Sequence, residues 1–307
     1  MTAGRRGGPR VVGLGDGHGL AVTLEAVRRY SHRITAVVSV ADDGGSSGRL
    51  RRDLGIPAPG DVRRCLVALA ADPDGVVAQA FGRRFERGEL VGHPLGNLVI
   101  AGLAETTGSF VAAIDEAGRL LDVQGRVLPA TEGPVVLGAT VAGRLVTGQA
   151  AIQQTGGPIE LVALEPPDAG APPDVLTAIA EADQVIIGPG SLFTSVLAVT
   201  AVPTIRAALA ARGGGVVFVC NLKPSKETIG FDVADHLAAL ARHGVVPDAV
   251  VIDPDAMDLG ELPSGGGGGD QPRIVEARLA RPNGWSHDVA LLAGVLGGLA
   301  GVAPLQG

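Results

Sequence analysis

The chain has 307 residues, 46% of them apolar, and a net charge of −7. That is enough chain to bury a sizeable core, and the composition is that of a globular protein. The acidic balance, the lack of a basic block longer than RRFER, and the presence of only one Trp, one Tyr and six Phe argue against a nucleic-acid surface that tracks phosphates or stacks bases.

The elements follow in chain order. Arg10–Leu14 reads as a short buried strand. Leu20, Leu24 and Val27 then recur at helical spacing through Leu20–Tyr30, and ITAVVSVA (34–41) is a second buried strand. This β-α-β opening predicts a doubly wound α/β fold with a mostly parallel sheet. A long polar loop, ADDGGSSGRLRRDLGIPAPGD, follows, and Asp61 is placed to N-cap the helix DVRRCLVALA. Residues 75–88 read as a helix, and HPLGNLVIAGLAETTGSFVAAIDEAGRLL as one long helix or two broken ones. Residues 122–165 are β-rich with Gly/Pro breaks, an antiparallel insertion or an extension of the sheet.

The α/β alternation then returns. DVLTAIAEA is a helix, QVIIGPGS a strand and glycine loop, and IRAALAAR a helix. GVVFVCNL is a strand, DVADHLAALARH a helix and AVVID a strand. SGGGGGDQ (264–271) reads as a flexible loop. ALLAGVLGGLAGVAPL is short for a transmembrane span and reads as a buried terminal helix. The charged MTAGRRGGPR is not followed by an apolar run of signal-peptide length. Cys65 and Cys220 sit in apolar runs and read as buried thiols of a reducing compartment. The expectation is a cytoplasmic protein forming a single α/β domain over 1–307.

Four loops follow strands: Gly13–Gly19, Asp42–Gly48, Gly188–Ser195 and Asn221–Thr228. In an open parallel sheet, ligands bind beyond the C-terminal strand ends at the switch point, so these loops predict one site. VVGLGDGHGL places Gly13, Gly15, Gly17 and Gly19 at alternate positions. This breaks the dinucleotide fingerprint, and no Lys completes a phosphate-loop motif. The loop can still offer backbone N–H groups to an anion at a helix N-terminus.

In DDGGSSGR, Asp42 and Asp43 point in different directions. One can cap the turn of Gly44 and Gly45 while the other meets a sugar hydroxyl or Mg²⁺. Ser46 and Ser47 add donors and acceptors, and Arg49 adds a phosphate partner. GPGSLFTS offers Gly188, Gly190, Ser191, Thr194 and Ser195 as a second anion cradle. His93 and Asn97 flank a helix start. His18 is a candidate polar contact. His32, His236, His243 and His287 show no metal-ligand spacing and read as core or solvated histidines.

ITAVVSVADDGGSSGRLRRDLGIPAPGDVRRCLVALA closely resembles the segment that marks the bacterial gluconeogenesis factor family, nucleotide-sugar-binding regulators of cell shape. HPLGN, VLPAT, GPGSLFTS and ETIGFDVADHL resemble further landmarks of that family, in order, over about residues 10–300. The 2-phospho-lactate transferases of coenzyme F420 synthesis share the fold class, the opening glycine loop and the acidic pair, but are less similar at GGSSGRLRRDLGIPAPGD. The resemblance implies a Rossmann-like α/β protein with a UDP-sugar ligand such as UDP-N-acetylglucosamine and a role in gluconeogenic growth and peptidoglycan precursor supply. It also implies a homodimer, a cell-wall-synthesis partner, and no required cofactor.

The implied site is Gly15, Asp16, Gly17, His18 and Gly19 with Gly188–Ser195 around the diphosphate. Asp42 or Asp43 would hold ribose or sugar hydroxyls, and Arg49 or Arg63, beside Asp61, the phosphate charge. Asn97 and Asn221 would meet sugar or base edges. The alternative is an Mg²⁺-dependent transferase of phosphorus-containing groups, with Asp42 and Asp43 on the metal. Three departures from the family stand out: Asp16 within the loop, Ser286-His287-Asp288 where Arg-His-Asp is usual, and no aromatic residue in AVVIDPDAMDLGELPSGGGGG. A carboxylate at a diphosphate site is costly, so Asp16 is expected to turn to solvent or onto an Arg, or to join Asp42 or Asp43 around Mg²⁺.

Overall fold

The computed structural model describes residues 7–262 and 271–303; most of the 264–271 glycine loop lies outside the described residues. Seven parallel strands form the main sheet. In chain order they are β1 (Arg10–Gly15), β2 (Arg33–Val38), β3 (Arg126–Pro129), β7 (Gln184–Ile187), β8 (Val216–Val219), β9 (Ala249–Ile252) and β10 (Arg273–Glu276). Their spatial order is β10-β9-β8-β7-β1-β2-β3. Every residue of β7, β8 and β9 is buried, and apart from Gln184 at the start of β7 all are apolar, the pattern of a parallel sheet covered on both faces. The order reverses between β1 and β7, so the loops after these two strands part and leave a crevice.

Helices pack on this sheet in groups. α1 (Gly17–Val27) lies against α3 (Gly60–Leu69) and α12 (Val289–Leu299); α8 (Pro173–Glu181) lies against α10 (Pro203–Ala210) and β1. Tyr30, beyond the end of α1, donates to Gln184 Oε1 at 2.7 Å, and Gln184 Nε2 donates to the Leu296 carbonyl at 3.1 Å. This buried relay ties α1, β7 and α12 together. The HPLGN helix is two helices, α5 (Leu95–Thr107) and α6 (Phe110–Leu120), broken at Gly108, whose φ of +68° suits glycine. α12 confirms the C-terminal apolar run as a terminal helix.

The 122–165 segment does both things its composition allowed. β3 extends the parallel sheet. β4 (Val136–Val141), β5 (Arg144–Thr147) and β6 (Ile159–Glu165) form a separate antiparallel sheet ordered β5-β4-β6. Between β5 and β6, α7 (Gln149–Thr155) is a helix inside the segment read as β-rich. His243 Nε2 accepts from the Val162 N–H at 3.0 Å and fastens this sheet to α11 (Val233–Arg242). His236, His243 and His287 are buried.

Two sequence expectations change, and one strand has no counterpart among them. The 75–88 helix is confined to α4 (Val76–Gly82). Asp61 is not the N-cap of α3: the cap position is Pro59, and Asp61 lies inside the first turn, bonded to Arg64. β10 carries no apolar signal because it is a partly exposed edge strand. Among the described residues no single helix is long and apolar enough to cross a membrane. The bent pair Leu192–Thr200 and Pro203–Ala210 passes only together, and its first half is buried.

Candidate functional site

The crevice at the β1/β7 switch holds a cleft of about 460 Å³. Asp16, Gly17, His18 and Gly19 line one side of it, and Gly190, Ser191 and Ser195 the other. Asp42, Gly44, Asp61 and Arg64 form a third wall, and Gln149, Ala150 and Gln153 from α7 a fourth.

Gly15 ends β1, and α1 begins at Gly17. The intervening Asp16 is extended and caps nothing with its side chain, so the first-turn N–H groups of α1 are not met by a side-chain cap. A Cβ on Gly19 would lie 1.8 Å from the Pro189 carbonyl oxygen. Only glycine lets the two loops approach so closely. Gly188 N–H donates to the Leu14 carbonyl at 2.9 Å. Asn221 then clamps Gly190, accepting its N–H at 2.8 Å and donating to its carbonyl at 2.7 Å. Asn221 thus shapes the loop and is not among the cleft-lining residues.

Asp16 is buried and its carboxylate hydrogen-bonds Ser195. The expected turn to solvent or onto an Arg does not occur: the side chain is buried, and Arg64 pairs with Asp61 instead. Burial, then the charges of Asp61 and Asp42, push its proton affinity well above the usual carboxylate range, against the Ser195 bond and a weaker pull from Arg64. Burial also raises Asp61, opposed first by its partner Arg64. His18, on the same cleft, is held below its ordinary value by burial and by Arg64 and Arg63.

Asp42 and Asp43 diverge. Asp42 Oδ1 accepts from Gly44 N–H at 2.9 Å and the residue faces the cleft. Asp43 Oδ1 accepts from Ala150 N–H at 3.0 Å and anchors the start of α7. The carboxylates that share the cleft are therefore Asp16, Asp42 and Asp61, without Asp43. No group of three or more His, Cys, Asp or Glu among the described residues is arranged to hold a metal. Asp42 and Asp61 together still suit an Mg²⁺ that is completed by ligand phosphate oxygens, since that ion commonly takes one or two carboxylates plus phosphates.

Other expected residues go elsewhere. Thr194 is fully buried; its N–H and hydroxyl donate to Glu227, which also accepts from Phe193 N–H at 3.0 Å. Glu227 thereby satisfies the first turn of a π-helical segment, Leu192–Val196. Ser47 and Gly45 belong to the first turn of α2 (Gly45–Leu54), where Ser47 packs against Gly60. Ser46, Arg49, Arg63 and Asn97 gather with His93 beside the cleft, not in it. Arg64, Gln149 and Gln153 escaped the sequence reading. The Asp61–Arg64 spacing of three on a helix was a usable signal for the first; α7 sat in a segment read as strand.

A family model described as 2-phospho-L-lactate transferase CofD matches residues 11–271. A putative gluconeogenesis factor of Mycobacterium tuberculosis is 44% identical over 307 residues, covering 94% of this chain and 90% of the relative. The gluconeogenesis factor of Bacillus subtilis is 43% identical over 238 residues, covering 76% of this chain and 75% of the relative. A crystal structure of a UPF0052-family protein from Bacillus halodurans superposes with a TM-score of 0.84 at 35% identity, covering 94% of this chain and 98% of that one. The family match spans the segments that build the cleft, and the chain belongs to the CofD family and, within it, to the gluconeogenesis factors.

Proposed function

We propose that the chain is a cytoplasmic nucleotide-sugar sensor. It would bind UDP-N-acetylglucosamine or a related UDP-sugar in the switch-point cleft and regulate gluconeogenic growth and cell-wall precursor supply. The observation that carries this reading is the facing of two glycine loops across a cleft of about 460 Å³, one of them at a helix N-terminus without a side-chain cap. Such a volume suits a nucleotide-sized ligand, and backbone N–H groups at a helix start favour its diphosphate. Gln149 and Gln153 on α7 add amide groups suited to sugar or base edges.

The cleft is also acidic: three carboxylates face it, and Arg64 is already paired with Asp61. An anionic ligand therefore needs a proton on Asp16 or a cation between Asp42 and Asp61. This favours a second reading, an Mg²⁺-dependent transferase of phosphorus-containing groups, which the CofD match also supports. Calorimetric titration with UDP-N-acetylglucosamine, with and without Mg²⁺, separates the two. Micromolar binding without metal supports the sensor. Binding only with Mg²⁺, together with turnover of a nucleotide-activated phospho-acid, supports the transferase. No binding in either buffer refutes the nucleotide-sugar assignment.

A further inference from the structure

Beside the cleft, the first turns of α2 and α5 meet. Both helices begin without a side-chain cap, with Gly44 and Pro94 at their cap positions. Their N-terminal N–H groups and dipoles therefore present positive potential to the same place. Ser46 of α2 and Asn97 of α5 join them: Asn97 Nδ2 donates to Ser46 Oγ at 3.1 Å, and Ser46 Oγ lies 2.8 Å from His93 Nδ1. Arg63 Nε donates to Asn97 Oδ1 at 3.0 Å. Arg63, Asn97, Ser46 and His93 thus form one hydrogen-bonded chain across the junction.

Three arginines close on this junction. Arg49 reaches the Val91 carbonyl at 3.0 Å and Arg84 the adjacent Gly92 carbonyl at 2.7 Å, so both guanidinium groups lie over the 91–92 turn that leads to His93. Arg63 is only 7% exposed. Among the described residues no carboxylate lies within ion-pair distance of Arg49, Arg63 or Arg84. The carboxylates nearby are otherwise placed: Asp61 is bonded to Arg64, Glu86 pairs with Arg83, and the negative charge of Asp53 on α2 acts on His93. Arg49 Nε is buried with no hydrogen-bond partner. Arg63 is buried, Arg49 half-buried and Arg84 exposed. A buried charge is normally paired, and guanidinium groups grouped without a carboxylate suit a phosphate.

We propose that Arg49, Arg63 and Arg84, over the joined N-termini of α2 and α5, form an anion site distinct from the switch-point cleft and built for a phosphate-bearing small molecule. None of these three residues lines the cleft, and Arg64, the neighbour of Arg63, faces the other way into it. The local field supports the assignment. Arg63 is brought down to about 10, first by burial and then by Arg64 and Arg84, and His93 is lowered by burial and by Arg49 and Arg84. A bound dianion would relieve that repulsion and raise His93. The site is independent of whatever fills the cleft.

The test titrates inorganic phosphate into the full chain by calorimetry, alone and after saturation with UDP-N-acetylglucosamine where that ligand binds. The same titration is run on an Arg49→Gln/Arg84→Ala variant shown by circular dichroism to be folded. The expected result is phosphate binding that survives cleft saturation and falls by at least about tenfold in the variant, the loss of two charge-assisted contacts. The UDP-sugar titration is unchanged in the variant. NMR of the His93 ring shows its pKa rising with phosphate in the wild type and not in the variant. Phosphate binding of equal strength in the variant, or none in the wild type, overturns the proposal. So does phosphate competing with the UDP-sugar, which would assign the arginines to the ligand of the cleft. Failure of UDP-N-acetylglucosamine to bind overturns only the sensor reading.

Discussion

Gly19→Ala tests the closest approach in the cleft. In an exposed helix, Gly to Ala stabilises by roughly 0.8–1 kcal/mol. At position 19 the new methyl would sit 1.8 Å from the Pro189 carbonyl oxygen and 2.6 Å from its carbon. Non-bonded heavy atoms rest at roughly 3.5 Å, so the loops must part by about 1.5 Å. Neither side can yield cheaply: Gly188 is bonded to Leu14, and Gly190 is held from both ends by Asn221. Overpacking costs about 1–3 kcal/mol, and contact between two backbones belongs at the upper end. At roughly 2–4 °C per kcal/mol, the melting temperature should drop by about 6–12 °C. Gly102→Ala is the internal control, since a Cβ there meets nothing within 4 Å in α5. Scanning calorimetry of both variants decides the matter. A Gly19→Ala protein that melts at or above the wild type, as Gly102→Ala should, refutes the claim that glycine is required for the two loops to meet.

Asp16→Asn should stabilise the protein at high pH and leave it unchanged near pH 4. The folded value of Asp16 is raised, so its penalty appears as pH climbs past the unfolded value of about 3.9 and is complete above the folded one. Melting curves against pH check the sign, and a pH-independent difference between the two proteins would contradict it. Glu227→Ala leaves two N–H groups and the Thr194 hydroxyl without their acceptor, at a cost of about 2–4 kcal/mol in urea unfolding, with Glu227→Gln recovering part of it. His287 is lowered to about 4, chiefly by burial, so it must be neutral in the fold. Stability should fall as pH drops from about 6.5 towards 4, by up to about 3 kcal/mol from this group, and His287→Phe should flatten that slope.

The parallel sheet was legible because its central strands are short, predominantly apolar runs, as a strand buried on both faces requires. ITAVV, QVII, VVFV and AVVI all fall in the sheet where the sequence puts them. β10 was not legible: its residues Arg273 and Glu276 are exposed, and four residues at an edge carry no period. α7 was hidden because GQAAIQ follows a β-rich run and its apolar anchor is the single buried Ile152. Asp61 misled as a cap because a carboxylate beside a helix start has two uses. Here the Arg64 ion pair takes the side chain, and the N-cap position falls two residues earlier.

The glycine loops of the site were also legible, since close backbone approach leaves a mark on residue type. The direction of each charged side chain was not, because it is set by packing between loops distant in sequence. Asp42 and Asp43 are adjacent on extended backbone and serve opposite sides of the loop, one the cleft and one the start of α7. Arg63 and Arg64 are adjacent on a helix, about 100° apart around its axis. One runs under Gly96 to Asn97; the other meets Asp61 at the cleft wall. These two pairs divide the polar segment 42–64 into an acidic cleft and a basic junction. A sequence motif lists both members of each pair side by side, so it reads as one phosphate site. The fold places the unpaired positive charge outside the cleft, and that separation is why Asp16 lines the cleft with no arginine paired to it.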